Sequence, residues 1–259
     1  MPSVPSLPRL LCFPLLFASL WGLPAAWAST PVQAATSVHA DTIARCLKLR
    51  RDQPRTAVAL AESLLATPGL PVEDELKTLS CLGIAAGLLG DDARATAAAA
   101  RMERQVQAHP ALAPDFTLRA YSQAGSVYQG AGQIHRAEAA YLQAYRISQQ
   151  LDEREAALIQ AATLTNIGLI HADYLDSPEV ADSYYRKALA AARSVQLEDP
   201  LILHNHALNL VKLGRDTEAL SVIDEGEAMA RRKDAVAVTQ RLRAERAGLW
   251  IRQGGLEGA

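Results

Sequence analysis

Apolar residues recur three and four positions apart along almost the whole chain after residue 40, the spacing that lines one face of an α-helix. Short turn signals break the pattern. They fall at Asp52-Gln53-Pro54, Thr67-Pro68-Gly69, Gly90-Asp91-Asp92, His109 to Asp115, Ala131-Gly132, Asp152, Asp176-Ser177-Pro178, Glu198-Asp199-Pro200, Gly214-Arg215-Asp216 and Gly254-Gly255. These breaks predict about eleven helices, each antiparallel to the last. Ser177 is expected to cap the helix that Pro178 opens, because a proline at the first helical position gives up an amide that has no partner there. Gly132 and Gly214 are expected to end their helices in the left-handed conformation. Three Phe and few alternating β-branched runs leave little from which to build a sheet, so the fold class is all-α.

The helices come in related pairs. A small residue recurs at Gly83, Gly125, Gly168 and Ala207, at intervals of 42, 43 and 39. Seven residues beyond three of them stands a glycine (Gly90, Gly132, Gly214), and twelve beyond stands an alanine (Ala95, Ala137, Ala219). The copy containing Gly168 fits with one residue inserted before Ala181. Such a period predicts a right-handed solenoid of helical hairpins. Within one hairpin, Tyr121, Ala124, Gly125 and Tyr128 share a stripe, and Ala137, Tyr141 and Ala144 form the matching stripe on the next helix. Gly125 is expected to face Ala137, so that two backbones approach closely.

These stripes resemble the tetratricopeptide repeat. Counting from Leu118, the seven residues just named fall at the family's large, apolar, small, aromatic, small, aromatic and small positions. The next copy supplies Leu164, Ile167, Gly168, His171, Ala181, Tyr185 and Ala188. The copy from Leu76 supplies Leu79, Leu82, Gly83, Ala86, Ala95, Ala99 and Met102, and the copy from Pro200 supplies Leu203, His206, Ala207, Leu210, Ala219, Ile223 and Gly226. His171 and His206 depart from the usual residue types. The period near 42, in place of the family's commonest 34, is similar to the repeats of kinesin light chains and bacterial regulatory peptide receptors. Residues 41–70 form a degenerate leading hairpin, and 71–259 form the repeat array. Trp250, Gly254 and Ala259 would begin a further copy whose second helix is cut short, so the chain is expected to be a fragment of a longer protein.

The resemblance also implies a binding surface, since the first helix of each repeat lines a groove. The matching positions are Lys77, Ser80, Cys81 and Ile84; Arg119, Ser122, Gln123, Ser126 and Gln129; Thr165, Asn166, Leu169 and Asp173; and His204, Asn205, Leu208 and Lys212. Gln123, Asn166 and Asn205 share one position in three successive copies. A carboxamide both donates and accepts, which suits an extended peptide backbone; a generic polar helix face is the alternative. The basic pair that clamps a terminal carboxylate in chaperone-binding relatives is not reproduced. Catalysis has little support: His204 and His206, two apart on a helix, point in different directions, and Gly130-Ala131-Gly132 follows no strand. No residue is assigned to catalysis, a metal or a cofactor.

Residues 1–28 read as a secretory signal, with Arg9, an apolar run from Leu10 to Leu23 and Ala26-Trp27-Ala28 before Ser29. Residues 29–40 form a linker. The 26 Lys and Arg against 28 Asp and Glu, a net charge of −2, argue against a nucleic-acid partner. Cys46 and Cys81, 35 residues apart, either bridge two hairpins or stand as separate buried thiols. The expected function is an exported, periplasmic scaffold that binds a peptide, a protein or another copy of itself. The alternative is the extracytoplasmic input module of a membrane signalling protein, such as a diguanylate cyclase or histidine kinase, whose span and output domain lie beyond Ala259. A membrane would be met only through that missing part or an uncleaved signal. Intact-mass analysis of exported material should give a chain beginning at Ser29; a chain retaining Met1 would convert the protein into an anchored one.

Overall fold

The computed structural model describes residues 39–151 and 154–252, and the signal, Asp152, Gly254 and Ala259 lie outside them. Within the described residues are eleven helices and no strand. They are α1 (Ala40–Leu49), α2 (Pro54–Leu65), α3 (Val72–Leu88), α4 (Asp92–Ala108), α5 (Pro114–Gly130), α6 (Ile134–Ser148), α7 (Arg154–Asp173), α8 (Pro178–Ser194), α9 (Pro200–Lys212), α10 (Asp216–Arg232) and α11 (Val236–Arg252). Each packs on its neighbours in sequence, and α1, α3, α5, α7, α9 and α11 also pack on one another in that order. The even-numbered helices make no comparable contacts among themselves. The odd-numbered helices are therefore the inner layer of the expected all-α solenoid, and the even-numbered ones the outer layer.

The ends of the helices follow local chemistry. Pro54, Pro114, Pro178 and Pro200 stand in the first turns of α2, α5, α8 and α9. The Asp91 and Asp199 carboxylates accept from the amides of Arg94 and Leu201. Ser177 precedes α8 but does not cap it; its hydroxyl donates instead to the Leu175 carbonyl at 3.0 Å. Gly132 and Gly214 have φ of +72° and +69°, and the following amides close back on Tyr128 and Leu210, as a left-handed helix end requires. The same closure ends α10, where Asp234 has φ of +51° and the Ala235 amide reaches the Ala230 carbonyl. That break separates α10 from α11 inside a stretch whose sequence pattern reads as one helix, because an aspartate takes the glycine's role.

The core is a series of rings laid over glycines. A methyl group at Gly125 would come within 2.6 Å of the Tyr141 ring, and one at Gly168 within 2.9 Å of the Tyr185 ring. Gly125 thus makes room for Tyr141, four residues beyond the Ala137 that the sequence pattern set opposite it. Gly83 has Ala99 at the ring position of its own hairpin, and Val127 from α5 fills the space, 2.7 Å from where a methyl would stand.

At the leading end, Cys46 of α1 is bonded to Cys81 of α3, with Cα atoms 6.1 Å apart. The bridge ties the degenerate hairpin to the first regular one. Closing a loop with a sequence separation of 35 stabilises by about 4 kcal/mol in the chain-entropy account. Because contacts in a solenoid are between neighbours, that effect is local. Hydrogen exchange of a Cys46→Ser variant should show faster exchange of α1 and α2 amides with α5 to α8 unchanged; uniform loss of protection would show that the hairpins unfold as one unit.

Candidate functional site

The sequence-predicted groove residues divide into three groups. Lys77, Ser80, Arg119 and Gln123 come together around a cleft between α3 and α5, with Glu73, Leu76 and Phe116 also lining it. Its volume of about 10 Å³ is close to that of one water. Lys77 lies 5.6 Å above the Phe116 ring and 3.5 Å from Asp74, and Arg119 pairs with Glu155. The Ser80 hydroxyl donates to Gln123 Oε1 at 2.9 Å, linking two inner helices.

A second group fills the seam between inner helices. Ser122 and Thr163 hydroxyls meet at 3.3 Å across α5 and α7, and Thr165 donates to its own helix at Ala161. The three carboxamides are interior, with Gln123 3%, Asn166 1% and Asn205 9% exposed. Gln123 has its partner in Ser80, but Asn166 has none for Nδ2 or Oδ1, and Asn205 has none for Nδ2. Asn205 Oδ1 stands 3.4 Å from His204 Nδ1. Leu169 and Leu208 are half-buried beside this row, as is Ile84 on α3. Lys212, at the end of α9, reaches Asp173 and the Ala172 carbonyl of α7.

The third group does not face a groove. The Tyr141 hydroxyl lies 3.2 Å from Ser126 Oγ and 3.1 Å from Gln129 Oε1, so both side chains turn into the hairpin. Cys81 is consumed by the disulfide. These positions share the inner-helix register, but the ring over Gly125 brings a polar hydroxyl into the hairpin and draws its acceptors inward.

Sequence reasoning marked His206 as a departure from the usual type and, because it stands two residues from His204 on one helix, set it aside as a catalytic or metal-binding group. Its Nε2 is 2.7 Å from Asp182, whose carboxylate also receives Arg215 at 2.9 Å and Arg186 at 3.0 Å. Burial would raise the Asp182 carboxyl, but hydrogen bonds from His206, Arg215 and Arg186 outweigh it and hold it below its ordinary value. Burial lowers His206 despite Asp182, and burial likewise lowers His204. Both histidines therefore bind fewer protons folded than unfolded just below their ordinary 6.5. Stability should rise with pH across that range and fall as pH drops below it. Asp182 adds to the loss only below its ordinary 3.8. Melting temperatures from pH 7.5 to 5 should decline in the wild type and decline less in His204→Gln/His206→Gln; equal slopes would show that neither imidazole is held neutral by burial.

Residues 118–160 match the family model of the tetratricopeptide repeat, beginning at the Leu118 that opens the predicted copy. BtubC (BKLC) from P. vanneervenii shares the architecture at 17% identity, over 82% of this chain and 92% of that one, with a TM-score of 0.57. A Podosopora anserina protein with kinesin light chain-like, nearly identical TPR-like repeats is 16% identical over 76% of this chain and 96% of its own, with a TM-score of 0.60. No curated protein matches the sequence. At these identities the likeness is one of fold.

Proposed function

We propose that this chain, a TPR-like helical repeat protein, is an exported, non-catalytic scaffold whose inner helices hold an extended protein or peptide segment. The observation that carries the reading is the row of carboxamides on α5, α7 and α9, two of which have unmade hydrogen bonds inside the fold. A buried amide without a partner costs about 1 to 3 kcal/mol. Turning toward a ligand strand breaks nothing for Asn166, whereas Gln123 would give up Ser80. Inner helices about 8 to 10 Å apart set one such side chain for about every three residues of a strand rising about 3.3 Å per residue. The Cys46–Cys81 bridge supports an oxidising compartment, and with it the exported location.

The test uses a peptide selected against the wild type from a random display library. Asn166→Ala/Asn205→Ala should weaken its binding by roughly one to two orders of magnitude, at about 0.5 to 1.5 kcal/mol per hydrogen bond. Gln123→Ala should cost less. The double variant should keep its helicity, since alanine removes unsatisfied groups from the seam at Asn166 and Asn205. Unchanged affinity in the folded double variant would exclude the inner face as the binding surface.

A further inference from the structure

The junction between the α7/α8 hairpin and the α9/α10 hairpin is built unlike those before it. The largest buried apolar cluster runs from Cys46 of α1 to Ile170 of α7, and a second starts at Ala207 of α9 and reaches Leu249 of α11. Ile202 of α9 bridges the break, in a small cluster with Leu164 and Ala192. On the inner side of the junction, Asn166 and Asn205 are buried with hydrogen bonds unmade. On the outer side, space is left. The gap between α4 and α6 holds the Tyr128 ring, 2.7 Å from Glu103, and the gap between α6 and α8 holds His171, 2.9 Å from Glu138. The same repeat position in the next copy is Leu210, and a groove of about 420 Å³ remains between α8 and α10.

Polar ties run between the inner seam and the outer groove, and they gather at one end. The Asp182 carboxylate of α8 receives His206 of α9 at 2.7 Å and Arg215, just before α10, at 2.9 Å. Asn209 donates to the Pro178 carbonyl at 2.8 Å and Lys212 to the Ala172 carbonyl at 2.9 Å. All of these residues lie near the α7–α8 and α9–α10 turns. Farther along, α8 and α10 are joined by Arg186 with Glu218 and Arg193 with Glu225, at 3.6 and 3.1 Å, and all four side chains are exposed. Exposed pairs of this kind resist movement little. One tied end, one loose end, a break in the apolar core and room on one side are the parts of a hinge.

We propose that the solenoid bends at this junction about the Asp182 ties: α10 swings toward α8, the groove closes, and the α7/α9 seam opens to present Asn166 and Asn205 to the concave face. The inference rests on the inner-face reading of function and states the motion which that reading requires, since carboxamides 1% and 9% exposed meet no ligand while the seam is shut. Each repeat touches only its neighbours, so α1 to α6 keep their arrangement.

Double electron–electron resonance between nitroxides at Ala190→Cys of α8 and Thr217→Cys of α10 tests this, with Ala97→Cys of α4 and Ala139→Cys of α6 as the comparison pair. All four positions are exposed, and Cys46 and Cys81 are bonded to each other. The α8–α10 distances should be more broadly spread than the α4–α6 distances and should shift shorter when the selected peptide is added. Leu210→Phe, from the floor of the groove, and Leu189→Phe, from its α8 wall, each wedge a ring between the outer helices. Either wedge should narrow the α8–α10 spread and weaken the peptide on the order of tenfold, by holding the chain in the shut state, with circular dichroism unchanged. Spreads equally narrow in both pairs, and unmoved by a peptide whose affinity falls in Asn166→Ala/Asn205→Ala, would overturn the hinge and leave the inner-face reading standing. So would wedge variants that fold and bind as the wild type does. A peptide indifferent to the two asparagine substitutions would overturn the inner-face reading, and this inference with it, however broad the α8–α10 spread.

Discussion

A side chain missing from one helix and a ring supplied by the next set the distance between them. Gly125 receives Tyr141 and Gly168 receives Tyr185, so inner and outer helices approach until the ring rests on the backbone. Glycine within a helix costs about 1 kcal/mol against alanine. The contact offsets this by burying a whole aromatic ring, and Tyr141 and Tyr185 are among the largest fully buried side chains. Where the ring is absent, as at Ala99, the next inner helix leans in and Val127 takes the space. The inner layer stays tightly packed along its length, and the positions of all inner-face side chains follow.

That packing explains which parts of the structure were legible in the sequence. Helix ends marked by Gly132, Gly214 or the first-turn prolines were readable because those residues act through their own backbone. The end of α10 was not, since Asp234 takes the left-handed conformation without the residue type that usually announces it. The shared register of Gln123, Asn166 and Asn205 was readable by counting, but their burial was not, because it depends on how closely successive inner helices approach. Ser126 and Gln129 counted as groove residues until the Tyr141 hydroxyl was placed between them. The spacing of Cys46 and Cys81 permitted a bridge, and only the distance between α1 and α3 decides that it forms.

The two faces of the solenoid carry different chemistry for one mechanical reason. Inner helices touch, so polar residues on them meet across seams and either pair, as Ser80 and Gln123 do, or remain unsatisfied, as Asn166 does. Outer helices diverge, so the gaps between them need filling from within. Tyr128 and His171 do so with rings anchored on carboxylates, and Leu210 leaves a groove.

The dependence of the hairpins on a ring resting against bare backbone is measured directly by a double-mutant cycle at Gly125 and Tyr141. In the wild-type background Gly125→Ala places a methyl against the ring and should destabilise the chain, although alanine is the better helix former. With Tyr141→Leu already present the same substitution should be nearly neutral or stabilising, giving a coupling of about 1 to 3 kcal/mol by chemical denaturation. Equal costs of Gly125→Ala in the two backgrounds would contradict the account, because the glycine would then be held for a reason other than the ring.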